Sequence, residues 1–126
     1  KEFAQMKKDR DILVRIIVKK VPMHTVYLSQ RNSATDFPVL TCAVGLEEKK
    51  VRIVIGARPQ KAMLIEKELE SSFKFKVEEV EALAEEVQKL VPTGSNMRAS
   101  AEYRSHLVKV LTKRALVQVE GDANEN

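Results

Sequence analysis

The sequence predicts an α+β domain, a small antiparallel sheet of three to four strands with three helices packed on one face. Three observations carry that expectation. Runs rich in β-branched and other apolar residues crowd the first half of the chain. Stretches with apolar residues at three- and four-residue spacing fill the second half. Strands first and helices afterwards is the α+β order. At 126 residues the chain reads as one domain able to bury its own core. Residues 1–10 are expected to be a polar arm and residues 120–126 a frayed tail.

The elements follow in order. Asp11 to Val18, DILVRIIV, reads as a first strand, ended by Lys19–Lys20–Val21–Pro22. His24 to Gln30, HTVYLSQ, reads as a second, and RNSAT (31–35) as a polar loop. Phe37–Leu46 and Val51–Ala57 are apolar runs separated by Glu47–Glu48–Lys49–Lys50, a hairpin-loop length. Alternation puts Val51, Ile53, Ile55 and Ala57 on one face, matched by Leu40, Cys42, Val44 and Leu46. Cys42 is therefore expected to be a small core residue.

Beyond Pro59, Ala62, Ile65 and Leu69 mark a short helix ending near Ser71–Ser72. Val77, Val80, Leu83, Val87 and Leu90 mark a second, stopped by Val91–Pro92–Thr93–Gly94. Ser95 or Asn96 is expected to cap a long final helix over Met97–Val119. At 100° per residue, Tyr103, Leu107, Val108, Val110, Leu111, Ala115 and Val117 form its apolar arc. His106, Lys109, Thr112 and Lys113 fall opposite. Arg104 and Arg114 project from inside the arc. Each either runs to water along its stem or meets acceptors; we expect both, like Arg98, to tie the helix to loops of the same domain.

Composition excludes several classes of function. The net charge is +4 and unevenly spread. Residues 1–20 carry seven basic against three acidic side chains, and residues 66–90 carry eight Glu against four Lys. Two Tyr, four Phe and no Trp give no aromatic interleaving for nucleic acid, and no apolar run approaches a membrane span. A single cysteine suits a reducing compartment, so a cytoplasmic location is expected. The chemistry is sparse. His24 and His106 lack ligand neighbours at metal spacing. Glu78–Glu79 and Glu85–Glu86 lie on the wet side of a helix, and neither GxGxxG nor a Walker pattern occurs. No catalytic residue and no metal ligand is expected. The basic arm leaves one alternative open, a stand-alone interaction module that binds an acidic partner.

Two longer stretches say more. RNSATDFPVLTCAVGLEEKKVRIVIGARPQKA (31–62) and MRASAEYRSHLVKVLTKRAL (97–116) resemble the C-terminal domain of the FAD-binding subunit of molybdenum hydroxylases, the xanthine dehydrogenase and carbon monoxide dehydrogenase flavoprotein family. The resemblance lies in an Arg-containing loop, Asp36–Phe37–Pro38 leading into an apolar strand, a partner strand ending at Gly56, and the closing Arg98–Arg104 helix motif. It implies a non-catalytic domain that borders FAD, while an upstream domain carries most of the flavin contacts. It also implies partner subunits holding the molybdenum cofactor and the iron–sulfur clusters, from which electrons reach FAD. On that resemblance Tyr27 and Arg31 are the candidate flavin-adjacent residues, Arg31 offering a cation or donor. The same segment also reads as a surface turn closing the sheet. No cofactor is expected for these 126 residues alone.

Overall fold

The computed structural model describes residues 12–69 and 74–124. Four strands, β1 (His24–Gln30), β2 (Leu40–Glu47), β3 (Lys50–Gly56) and β4 (Met63–Glu68), precede two helices, α1 (Val77–Leu90) and α2 (Ala101–Asn124). The strands form an antiparallel meander in the order β1-β2-β3-β4. The central hairpin is as expected, and its loop tightens to Glu48–Lys49 because Glu47 pairs with Lys50.

Strand alternation sorts the sheet into two unlike faces. One row runs Val26, Val44, Ile53, Ile65 across the four strands, and the next runs Leu28, Cys42, Ile55, Met63. These rows face the helices. They join Val80, Leu83 and Val87 of α1 and Leu107, Val108, Leu111, Ala115, Leu116 and Val119 of α2 in one core. Each fully buried aliphatic side chain contributes about 1.5–3 kcal/mol. Cys42 is wholly buried there, with its Sγ 3.8 Å from Thr112 Oγ1, and burial pushes its thiol pKa up to about 11.

Helix α1 begins where the Glu79 carboxylate accepts the Lys76 backbone N–H at 2.7 Å, one half of a capping box. It ends at Leu90, with Val91 as its C-cap directly before Pro92, as expected. Its wet side meets α2 through ion pairs of Lys109 with Glu81 and Glu85, 3.0 and 2.9 Å long, and of Lys113 with Glu81.

Several expectations are corrected. Residues 12–18 form no strand, and their aliphatic side chains are exposed; none pairs with the sheet among the described residues, and Asp11 lies outside them. The short helix marked by Ala62, Ile65 and Leu69 is instead strand β4, so two helices pack on the sheet where three were expected. The free edge of β3 decides this. Met63, Leu64, Ile65 and Glu66 pair with Ile55, Val54, Ile53 and Arg52, and Arg52 Nε donates to Glu66 Oε1 at 2.8 Å. Ser71–Ser72 lie outside the described residues.

The last helix starts at Ala101, not Met97, and runs on to Asn124 into the expected tail. Ser100, not Ser95 or Asn96, supplies the cap, its Oγ accepting the Tyr103 N–H at 3.2 Å. Ser95 Oγ takes the Ala101 N–H at 2.8 Å. The buried side of α2 is also turned from the expected arc. Arg104 and Thr112 are inside it, while Tyr103 and Val117 are exposed. The sheet below and α1 alongside together set which side of α2 is covered, and a single-helix projection contains neither.

Candidate functional site

Of the two expected site residues, Tyr27 sits on the face of the sheet that no helix covers among the described residues, and Arg31 in the loop that follows its strand. Tyr27 follows the inward Val26 and so points away from the core, opposite Ala43, with 61% of its surface exposed. The row continues through Val54 and Leu64. Met23 lies over the same face, where Gly45 leaves room: a Cβ on Gly45 would come within 2.6 Å of the Met23 Sδ. Met23, Tyr27, Val54 and Leu64 thus line a shallow apolar groove of about 470 Å³.

Arg31 lies just past the end of β1, roughly 13 Å from Tyr27 along the chain at strand rise. It is exposed, and its Nη1 donates to the backbone oxygen of Asp36 at 2.6 Å. That bond closes the β1–β2 loop, together with Asp36 N–H to Ser33 O at 3.2 Å and Val39 N–H to Gln30 O at 2.7 Å. The surface-turn role is therefore real, and Arg31 holds further N–H donors beyond the one used.

Asp36 is the hub of the loop. Its Oδ1 accepts the Phe37 N–H at 2.7 Å and Arg98 Nε at 3.1 Å. The Phe37 N–H, and after it the Arg98 guanidinium, hold the Asp36 carboxyl below the usual aspartate range. Arg98 also lies over the Phe37 ring, 5.2 Å from its centroid, a cation–π distance. Asn32 Nδ2 reaches the Arg98 carbonyl at 3.2 Å. The β1–β2 loop is thereby fastened to the segment before α2.

Arg104 completes this end of the domain from below. It is fully buried. Its Nε donates to Val39 O at 2.9 Å, and its Nη1 to Gly94 O at 2.7 Å and Ala99 O at 2.6 Å. Its Nη2 donates to Asn96 Oδ1 at 2.6 Å. Burial, then the neighbouring Arg98 charge, lowers its pKa from the ordinary arginine value. Arg98 and Arg104 are thus the internal ties expected of them. Arg114 is not: it is exposed on the outer side of α2, three turns beyond the loops that Arg104 reaches.

The sequence reading missed two parts of this arrangement. It did not pair Asp36 with Arg98, because 62 residues separate them. It did not find the apolar groove, because Leu64 was read into a helix and its partner Val54 onto no site. The short apolar run Met63–Leu64–Ile65 was the available signal, and over so few residues it fits a strand as well as a helix.

Among the described residues no group of three or more His, Cys, Asp or Glu side chains could hold a metal ion. Among them also, no helix is long and apolar enough to cross a membrane. The basic arm on which the interaction-module alternative rests, residues 1–10, lies outside the described residues.

Comparison with known proteins decides the family. The sequence model of the CO dehydrogenase flavoprotein C-terminal domain matches residues 25–119. This chain belongs to that family. The resemblance to the flavoprotein subunits of molybdenum hydroxylases is therefore borne out, and the match runs from Thr25 in β1 through β2–β4 and α1 to Val119 in α2. No curated protein sequence matches. Among solved structures, quinoline 2-oxidoreductase from Pseudomonas putida 86 aligns with a TM-score of 0.67 at 18% identity, over 82% of this chain and 39% of that one. The carbon monoxide dehydrogenase from Hydrogenophaga pseudoflava that lacks the Mo-pyranopterin moiety aligns with a TM-score of 0.66 at 19% identity, over 78% and 37%. These two show the same fold, and the chain spans under two-fifths of either.

The family is that of a flavoprotein, so the residues can be tested against FAD. Tyr27 presents an exposed aromatic ring on the open face and Arg31 unspent donors in the neighbouring loop, groups of the kind that suit a planar, anionic cofactor. Neither residue is enclosed. A phosphate cradle needs glycines gathered in one loop, and Gly45 and Gly56 are in strands.

Proposed function

We propose that this chain is the flavin-flanking domain of the FAD subunit of a multi-subunit molybdenum-type oxidoreductase. In that role it helps to enclose FAD and to dock the molybdenum-cofactor and iron–sulfur subunits. The family match over residues 25–119 is the observation that supports this reading most directly. FAD supplies the electron-transfer chemistry when bound. The residues of this chain supply position. Tyr27 offers an aromatic surface at the open face of the sheet, and Arg31 offers charge-assisted donors from a loop that Asp36 and Arg98 hold in shape. Both act from a rigid support, because β1 is paired along its length and its loop is tied to the segment before α2 through Asn32, Asp36 and Arg98.

FAD titration followed by flavin fluorescence tests the proposal. The 126-residue chain is expected not to bind, and a longer polypeptide that includes the upstream flavin-binding domain is expected to bind saturably. In that longer polypeptide, Arg31→Ala should weaken FAD about tenfold, the loss of one charge-assisted hydrogen bond. Unchanged affinity in the variant would remove Arg31 from the flavin border. Failure of the longer polypeptide to bind FAD at all would overturn the proposed role.

A further inference from the structure

The two helices present unlike outer surfaces. That of α1 carries Glu78, Glu79, Glu85, Glu86 and Lys89, the pattern of a solvated helix. That of α2 does not. Helix α2 packs across β1 and β2 and lies beside α1, where its Ser105, Lys109 and Lys113 meet Gln88, Glu81 and Glu85. At 100° per residue, Tyr103, Val110, Arg114, Val117 and Gly121 fall on a strip turned away from both the sheet and α1. Tyr103 and Val117 are 44% and 56% exposed, and Val110 is half-buried between them. These three recur seven residues apart and so form a straight seam about 21 Å long. Along it, Val110, Lys113, Arg114, Val117 and Gln118 line an open hollow of about 400 Å³.

Arg114 stands in this seam without a partner. Among the described residues it makes no hydrogen bond or ion pair. Its neighbours one turn away are Val110, Leu111, Val117 and Gln118, none of them a carboxylate. Lys109 and Lys113 are already held by glutamates of α1. A second copy of this chain cannot supply the missing anion from the same strip, which contains no Asp or Glu. Two α2 helices laid together would bring like charges toward one another. We infer that this strip docks an amphipathic, acidic helix of a partner subunit. The inference rests on the proposed reading, in which partner subunits assemble on this domain, and it names the surface and the chemistry. Apolar side chains of that helix, at three- and four-residue spacing, seat between Tyr103, Val110 and Val117. A carboxylate on it accepts two parallel N–H bonds from the Arg114 guanidinium. Gly121, with nothing within 4 Å of where a Cβ would stand, leaves the far end of the seam open to close approach.

Photo-crosslinking in the assembled enzyme tests this, with a photoreactive phenylalanine analogue in place of Val117. The cross-linked peptide, identified by mass spectrometry, should belong to a helix of one partner subunit and carry Asp or Glu within a turn of the attachment. Arg114→Glu should weaken association with that subunit about 30-fold or more, and changing the partner's carboxylate residue to Lys should restore most of the loss. The melting temperature of the 126-residue chain should be unchanged by Arg114→Glu, because the side chain is exposed there; this separates docking from folding. Cross-links to a second copy of this chain, to the upstream part of the same subunit, or to a segment without carboxylates would overturn the inference. So would an intact assembly with no cross-link from this position, or unchanged association of the Arg114→Glu variant. FAD content of the same sample keeps the two proposals apart. An assembly that holds FAD but leaves the strip uncovered discards the docking helix alone, and a cross-linked partner helix without bound FAD discards the flavin role alone.

Discussion

Arg104 is a fully buried cation whose hydrogen bonds run to three backbone carbonyls and the Asn96 side chain, not to a carboxylate. The carbonyls of Val39, Gly94 and Ala99 lie outside the named strands and helices, and among the described residues only that of Ala99 has a second partner, the Asn96 N–H at 3.0 Å. The planar guanidinium satisfies them together, which a compact ammonium cannot do. Arg104→Met should therefore destabilise the domain by on the order of 3 kcal/mol, since it strands buried acceptors, and Arg104→Lys should restore only part of that. Urea denaturation checks this; a loss below about 1 kcal/mol would mean that water replaces the guanidinium. At the residue scale the sequence identified the anomaly, a guanidinium on an apolar arc, for Arg104 and Arg114 alike. The same signal had opposite outcomes because acceptors wait only at the N-terminal end of α2, where the loops converge.

Among the elements, the seam between α1 and α2 shows how charge supplements burial. Lys113 first and then Lys109 lower the pKa of Glu81 from its ordinary 4.5, and Lys109 lowers that of Glu85. A carboxyl whose folded pKa lies below its unfolded value contributes stability above the unfolded value, and loses it as pH falls through the folded one. Glu85 and then Glu81 raise the pKa of Lys109, so its contribution persists in base until pH passes its raised value. The melting temperature should accordingly fall between about pH 5 and pH 3, and Glu81→Gln/Glu85→Gln should flatten that fall. Parallel curves for the two proteins would show that the seam is too well solvated to matter. Helix α1 was legible in the sequence because its period and its Pro92 stop agree. Strand β4 was not. Three apolar residues at helical spacing fit both readings over so short a run, and the unpaired edge of β3 settled the choice.

For the whole molecule, every side chain of the described core lies between Val26 and Val119. The sheet-and-two-helix unit should therefore be self-sufficient. Removal of residues 1–22 is expected to leave the melting temperature within about 2 °C, as read by calorimetry, and a larger drop would show that the arm packs on the domain. The amino-acid sequence by itself determined the α+β class, the central hairpin, helix α1, the burial of Cys42 and, through its motifs, the family. Those features are encoded in local periodicity, turn residues and short motifs, all readable along the chain. Only the tertiary structure decided that residues 62–69 pair as a strand, which side of α2 is buried, that Asp36 meets Arg98, and that Tyr27 opens onto an uncovered apolar groove. Each of these depends on which surface a distant segment presents, and the free energy of that encounter has no signature within either segment alone.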